Sequence, residues 1–452
     1  MPTTVMWFRR DLRLSDNPAL VEAVRAAGRD GGVVALFCLD DRLWGPAGDN
    51  RRHFLLDCLR ALDDDIGGHL VVRRGDPRTV VPEVAAALGA TTVCAAADFG
   101  PYGARRDAAV EAALHDDGRR LVRVGSPYAV EPGTVRNRSG EPFKVFTPFS
   151  RAWQAHGWPE PLRAPSGVPW VTAGSTDALP DRPGVAATLP EPGEGAAKRA
   201  ARRFWDARLD AYEEARDRPG ADATSRLSPY LKWGCLHPRQ LLARLGSTSA
   251  HRRFRTELAW REFYADVLHH RPDSARRSLD VRMRTMAVDG AGTAPRFQAW
   301  AAGRTGYPIV DAGMRQLLAE GWVHNRVRMI VASFLVKDLH LDWTRGARHF
   351  MAHLVDGDLA SNQHGWQWVA GTGTDAAPYF RVFNPVAQGE RFDPDGTYVR
   401  RWVPELAAVS DRFVQRPWED PAGPPTGYPP PMVDHAEERA EALRRYAERG
   451  GS

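Results

Sequence analysis

Four short stretches of this 452-residue chain carry side chains able to bind or transform a ligand. The first is Glu257-Leu-Ala-Trp260-Arg261-Glu-Phe-Tyr264, where Glu257, Trp260, Arg261 and Tyr264 fall at i, i+3, i+4 and i+7. On a helix those positions share one face. A carboxylate, an indole, a guanidinium and a phenol make a poor apolar core stripe. They suit the wall of a cavity that holds a polar aromatic ligand, and the plainer alternative is a buried ion pair with packed aromatics.

The second stretch is Trp322-Val-His324-Asn325-Arg326-Val-Arg328-Met329, with Asn325 and Met329 again on one helical face. An amide donates and accepts on the edge of a base, and a thioether packs on rings without demanding a hydrogen bond. Read alone, the same residues are an ordinary helix with a cap-like Asn. The third is Asp356-Gly-Asp358-Leu-Ala-Ser-Asn362-Gln-His-Gly-Trp366-Gln-Trp368. Two aspartates around a glycine suggest a turn that opens a helix, with Asn362 and Trp366 on one later face. No further acids follow at the spacing of a calcium loop, so no metal site is expected and N-capping is the plainer reading. The fourth, Thr224-Ser225-Arg226-Leu227-Ser228-Pro229, places hydroxyls and backbone N–H groups before a helix. That pattern is a phosphate cradle or simple capping.

The elements that must position these residues change character along the chain. Over the first 130 or so residues, β-rich runs at Val5–Phe8, Val33–Leu39, Leu70–Arg73, Thr91–Ala95 and Leu121–Val124 alternate with helical stretches at Pro18–Ala27, Arg51–Leu62, Val80–Leu88 and Tyr102–His115. Near-continuous apolar strands between amphipathic helices predict a parallel, doubly wound α/β domain over residues 1–130. Asn17-Pro18 gives the first helix its cap and its N1 proline. The dinucleotide fingerprint G-x-G-x-x-G is missing after the first strand, where WFRRDLRLSD stands, so an ordinary NAD site is not expected there. Residues 131–195 read as a long connector, irregular and rich in Pro and Gly over its second half. Residues 196–452 read as an all-helical domain that ends in a proline-rich stretch and a charged helical tail, Val433–Arg449.

Composition narrows the class. Hydrophobic residues at 43% and charged residues at 26% are globular values and exclude wholesale disorder. No window approaches the ~18 consecutive apolar residues of a spanning helix, and the N-terminus lacks the apolar core of a secretory signal. The cysteines Cys38, Cys58, Cys94 and Cys235 are scattered and predict reduced apolar fillers and a cytoplasmic location. Net charge is only +5, and lysine appears only at Lys144, Lys198, Lys232 and Lys337, so arginine number alone is no sign of phosphate binding. Of 15 tryptophans, ten follow residue 200.

Taken in this order, and together with WFRRDLRLSDNPAL, TGYPIVDAGMRQL and GTGTDAAPYFRVFNP, the four stretches resemble the photolyase/cryptochrome flavoproteins from residue 4 to about residue 405. The resemblance implies an α/β antenna domain, a long connector and a helical domain that holds FAD folded into a U. It implies that Tyr212, Thr224, Ser225, Arg226, Leu227 and Ser228 bind the phosphates and ribityl chain. Glu257, Arg261, Asn325, Arg328, Asp356, Asp358 and Asn362 are the other cofactor residues, with Arg328 paired to Asp356 and Asn362 at flavin N5. A neutral amide there favours the reduced anion FADH⁻, the electron donor of repair.

For substrate, Glu257, Trp260, Asn325, Met329 and Trp368 match the pocket that takes a cyclobutane pyrimidine dimer in class I enzymes. The pair His324-Asn325 replaces the His-His of 6-4 photolyases. Arg226, Arg326 and Gln388 match positions near the DNA backbone. Expected partners are therefore UV-damaged DNA and no membrane, with the chain a nucleoid-associated monomer. The alternative is a cryptochrome-type light receptor that signals through a partner. Trp366 and Trp343 match the first two members of the family's electron-transfer chain. No third tryptophan stands near Val288, so slow or rerouted photoreduction is expected. Tyr102, Gly103 and Arg106, in a PYG-x-x-RD pattern, resemble members whose antenna is 8-hydroxy-5-deazaflavin, with methenyltetrahydrofolate as the alternative.

Overall fold

The computed structural model describes every residue except 1, 173, 291, 375–379, 424 and 450–452. The middle of GTGTDAAPYFRVFNP, residues 375–379, thus lies outside the described residues.

Strands β1 (Thr3–Phe8), β2 (Gly32–Leu39), β3 (Leu70–Arg74), β4 (Thr92–Ala95) and β5 (Arg120–Arg123) form one parallel sheet in the order β3-β2-β1-β4-β5. β1 is central, with Val5 opposite Val34 on one side and Val93 on the other. All eight residues of β2 are buried, which is why its sequence carries no alternation. The chain winds outward from β1 to β3 and returns on the other side to β4 and β5. That reversal is the doubly wound arrangement, and it leaves a switch point at the carboxyl end of β1. The Pro18–Ala27 helix starts as its cap dictates, Asn17 accepting from the Leu20 N–H.

The segment after β1 is internal scaffolding. The buried Arg13 guanidinium donates to the carbonyls of Gly234 at 3.0 Å and Asp16 at 2.6 Å. Asp16 in turn takes Arg239 at 2.7 Å, and Glu194 accepts from the N–H groups of Leu14 and Ser15. Gly234, at φ +69°, could carry no side chain, since a Cβ would lie 1.9 Å from the Arg10 carbonyl.

These ties explain why packing does not follow the boundaries at 130 and 195. The described chain forms two compact units with interleaved sequences, Met1–Val185, Pro190–Ala207 and Ser225–Pro272 in the first, and Ala186–Leu189, Arg208–Thr224 and Asp273–Ser452 in the second. The first unit therefore includes the helices Gly193–Ala207, Ser228–Trp233 and Ser249–His270 as well as the sheet. It also includes a helix inside the expected connector, Phe146–His156.

The second unit is helical. Val310, Leu317, Val327, Val331, Leu335 and Phe350 form part of its core. The helices Pro308–Glu320 and Asn325–Ser333 touch closely enough that a Cβ on Gly313 would meet Val327 at 2.4 Å. The tail helix runs His435–Glu448 with Asp434 as its cap. No strand follows Arg123 among the described residues, and no described helix is long and apolar enough to cross a membrane.

Candidate active site

In the first unit, the Ser249–His270 helix buries Phe254, Leu258, Ala259, Glu262 and Phe263 and leaves Glu257, Trp260, Arg261 and Tyr264 half-buried. The predicted stripe is thus a face apart from the core. Trp260 lies flat on Phe146, ring centroids 3.6 Å apart and planes within 6°. One indole face is covered by the protein, and Tyr264 flanks it at 5.3 Å. Arg261 spends its donors locally, on the carbonyls of Pro127 at 2.9 Å and Leu231 at 3.1 Å, and its guanidinium covers the Tyr128 ring. Ser225 Oγ accepts from the Leu227 N–H at 3.4 Å, Arg226 has φ +50°, and Ser228 opens the Ser228–Trp233 helix. A non-glycine residue at positive φ is a strained turn of a kind that gathers at binding sites.

The second unit holds the remaining residues. Arg328 donates to Asp356 Oδ2 at 2.9 Å and to the Val323 carbonyl at 2.7 Å, so the expected pair is present. The other Asp356 oxygen, Oδ1, is buried with no hydrogen-bond partner among the described residues. A buried acceptor left unmet is costly, and a ligand donor at this place would relieve that cost. Asp358 caps the Leu359–Ala370 helix, accepting from the Ser361 N–H at 3.1 Å. On that helix Asn362 donates to the Ala347 carbonyl at 3.1 Å and to Gln363 Oε1 at 2.8 Å.

Trp366 is buried against Phe350 at 5.2 Å and Trp300 at 6.2 Å. A Cβ at Gly346 would meet the Trp366 ring at 2.1 Å, so that glycine makes room for the indole. Trp343 donates its indole N–H to Ser278 Oγ at 3.2 Å. Trp368 is only partly buried, and the Arg381 guanidinium lies 5.3 Å from its ring centre. Asn325 stands exposed at the first position of its helix, whose cap His324 accepts from the Arg326 N–H. Burial pushes His324 down to about 4, so it is neutral near pH 7. Met329 lies one turn on, half-buried. Arg326 pairs with Asp217 at 3.2 Å and covers Phe392, the last residue of the helix that carries Gln388. Tyr212 is buried, with the Arg216 guanidinium 5.5 Å from its ring centre, and Thr224 is half-buried.

Comparison with known proteins places this geometry. Residues 254–448 match the FAD binding domain of DNA photolyase, and residues 4–166 match the DNA photolyase family model. A deoxyribodipyrimidine photo-lyase of Streptomyces griseus is 44% identical over 98% of this chain and 99% of its own length.

The chain belongs to the DNA photolyase family.

Among solved structures, a bacterial class III photolyase from Agrobacterium tumefaciens superposes with a TM-score of 0.93 at 38% identity, covering 100% of this chain and 98% of its own. A Synechocystis cryptochrome superposes at 0.89 with 28% identity, covering 98% and 99%. The residues of this family member fit a flavin. Asp356 has an acceptor to spare, and Asn362, with its NH2 turned into the protein, offers Oδ1.

The antenna motif is largely self-contained. Tyr102 donates to Asp40, and the buried Arg106 donates to Asp98 at 3.2 Å and Asp107 at 2.8 Å. A Cβ at Gly103 would meet the Asp98 carboxylate at 2.1 Å. Burial and the Asp40 carboxylate push the Tyr102 phenol up, and it stays a donor. Much of the PYG-x-x-RD pattern therefore serves the fold at the switch point. Among the described residues no group of three or more His, Cys, Asp or Glu gathers as a metal site.

Sequence reasoning missed Phe146, Glu262, Gln363 and Arg381. Glu262 is the only one with a sequence signal, an acid breaking an apolar helical face. Its carboxylate accepts from the N–H groups of Ala129 at 2.8 Å and Val130 at 3.0 Å, and from the Trp153 indole at 3.2 Å.

Proposed function

We propose that this chain is a light-driven DNA-repair lyase that splits cyclobutane pyrimidine dimers in UV-damaged DNA, with FAD as its working cofactor. The observation that carries the reading is the full-length similarity to deoxyribodipyrimidine photo-lyases. When bound as FADH⁻, the flavin supplies one electron under blue light and recovers it once the cyclobutane ring has opened. The protein's own residues bind, orient and exclude water.

Asp356 Oδ1 would accept an N–H of the flavin ring, with Arg328 holding that carboxylate in place. Asp358 and the segment from Thr224 to Ser228, with Tyr212, hold the rest of the cofactor. On the substrate side, Trp260 and Trp368 offer apolar faces to rings that have lost their stacking, and Phe146 backs Trp260 so that one face remains for the dimer. A dimer that has lost stacking and pairing costs less to flip out of the duplex than an ordinary base, and photolyases as a class flip their lesions out. Glu257 and Asn325 meet the polar edges of the dimer, and Met329 packs beside it. Arg226, Arg326 and Gln388 hold the DNA backbone, whose phosphates position without reading sequence. The antenna is 8-hydroxy-5-deazaflavin or methenyltetrahydrofolate. The protein acts as a monomer, and residues 1–130 and 196–452 are its antenna and repair portions.

The test is dimer splitting in a thymine-dimer oligonucleotide by flavin-loaded, chemically reduced protein. Splitting is expected in blue light and not in the dark. Glu257→Ala should cost at least tenfold in rate, about 1.4 kcal/mol of barrier, with flavin retained. A flavin-loaded wild type that splits nothing in light would reject repair and favour a light-receptor role.

A further inference from the structure

The amide of Asn362 is held by a network whose polarity can be worked out from its ends. At one end stands the Ala275 carbonyl, which only accepts. Gln363, buried on the Leu359–Ala370 helix, lies with its amide nitrogen 2.6 Å from that oxygen, so the NH2 of Gln363 must point there. Its Oε1 then faces Asn362 Nδ2 at 2.8 Å and requires a donor. Independently, the Ala347 carbonyl at 3.1 Å requires the same nitrogen. Two acceptor-only carbonyls therefore fix which end of each amide faces the protein. Both N–H bonds of Asn362 are spent inside the protein, and Oδ1 is the group left to present.

We propose that Gln363 is a positioning residue that locks Asn362 as a hydrogen-bond acceptor and so biases a bound flavin toward the forms that carry a proton on N5. The inference rests on the reading that Asn362 faces flavin N5. An oxidised flavin offers a lone pair at N5, which faces Oδ1 unfavourably. A reduced flavin offers an N–H, which Oδ1 accepts. A neighbouring glutamine supplies an internal control. Gln367, one helical turn on, donates to the Ser274 carbonyl at 2.7 Å and accepts from the Leu279 N–H at 2.9 Å. It anchors the same helix to the same segment and has no bond to Asn362.

The test is an anaerobic spectroelectrochemical titration of FAD-loaded protein. In Gln363→Met, Asn362 Nδ2 donates to one carbonyl and no longer to two, and one net hydrogen bond is worth about 1 kcal/mol, or roughly fivefold. The N5-protonated forms should lose about five- to tenfold relative to oxidised FAD, so the midpoint falls, tenfold being about 59 mV for a one-electron couple. Gln363→Asn, milder for folding, should move it less in the same direction. Gln367→Met should lower stability and leave the midpoint where it was. A Gln363→Met midpoint within twofold of wild type, or an equal shift in Gln367→Met, overturns the positioning role alone. A wild-type chain that retains no FAD overturns the flavin reading with it.

Discussion

Two buried carboxylates show how a structural acid differs from a ligand-binding one. Glu262, in the first unit, has both oxygens met by the protein, through two backbone N–H groups and an indole. Asp356, in the second, has one oxygen on Arg328 and the other met by nothing among the described residues. Asp356 thus keeps an acceptor that a ligand donor could meet, whereas Glu262 keeps none. Charge and burial alone would have ranked the two alike.

The sharpest way to break this contrast is Arg328→Ala. The Asp356 carboxylate would stay buried without its cation, at a cost of about 3 kcal/mol. Flavin retention after gel filtration, read by absorbance, should be lost with it. If stability fell while flavin stayed bound, Asp356 would be as structural as Glu262.

Glu262→Gln comes next, at about 2 kcal/mol, because one amide oxygen cannot serve three donors and its NH2 faces them. Flavin retention should not change. Burial, against the pull of Arg261 and the N–H donors, pushes Glu262 up to about 7 from an ordinary 4.5, so between those values the folded chain holds a proton that the unfolded chain has lost. The contribution is complete below pH 4.5 and disappears as pH rises through 7. Urea denaturation at about pH 5 and about pH 8 should therefore show the gap between wild type and variant narrowing at the higher pH.

The smallest effect on stability, within about 0.5 kcal/mol, is expected of Val288→Trp, since Val288 is 47% exposed. By its resemblance to the family, the chain is expected to lack an outer tryptophan beyond Trp366 and Trp343. Supplying one should speed photoreduction of oxidised flavin, read by transient absorption, and leave repair by reduced protein unchanged. An unchanged photoreduction rate would mean that the hole leaves by a route that does not need this position.

Much of the fold was legible because local chemistry dictated it. The Pro18–Ala27 helix ends where its cap, its N1 proline and Gly28 require, and each of the five strands begins and ends within two residues of its apolar run. At the site, the Arg328–Asp356 pair and the Asp358 cap could be anticipated from spacing and resemblance. The helix Phe146–His156 could not, since Val145 before it makes no side-chain cap bond and the surrounding prolines suggest a loop. Nor could Phe146 under Trp260, a contact between residues far apart in sequence. Arg261 shows a further limit. Its place on the stripe was right, but only the folded chain shows that the carbonyls of Pro127 and Leu231 take its donors.

The interleaving of the two units bears on how the protein is made. The chain passes from one to the other after residues 185, 189, 207, 224 and 272. A growing polypeptide must therefore leave the ribosome beyond Pro272 before the first unit has its last helix. A clone that begins at residue 254, where the flavin-domain match starts, would lack Ala186–Leu189 and Arg208–Thr224 and so two strips of the half it was meant to express.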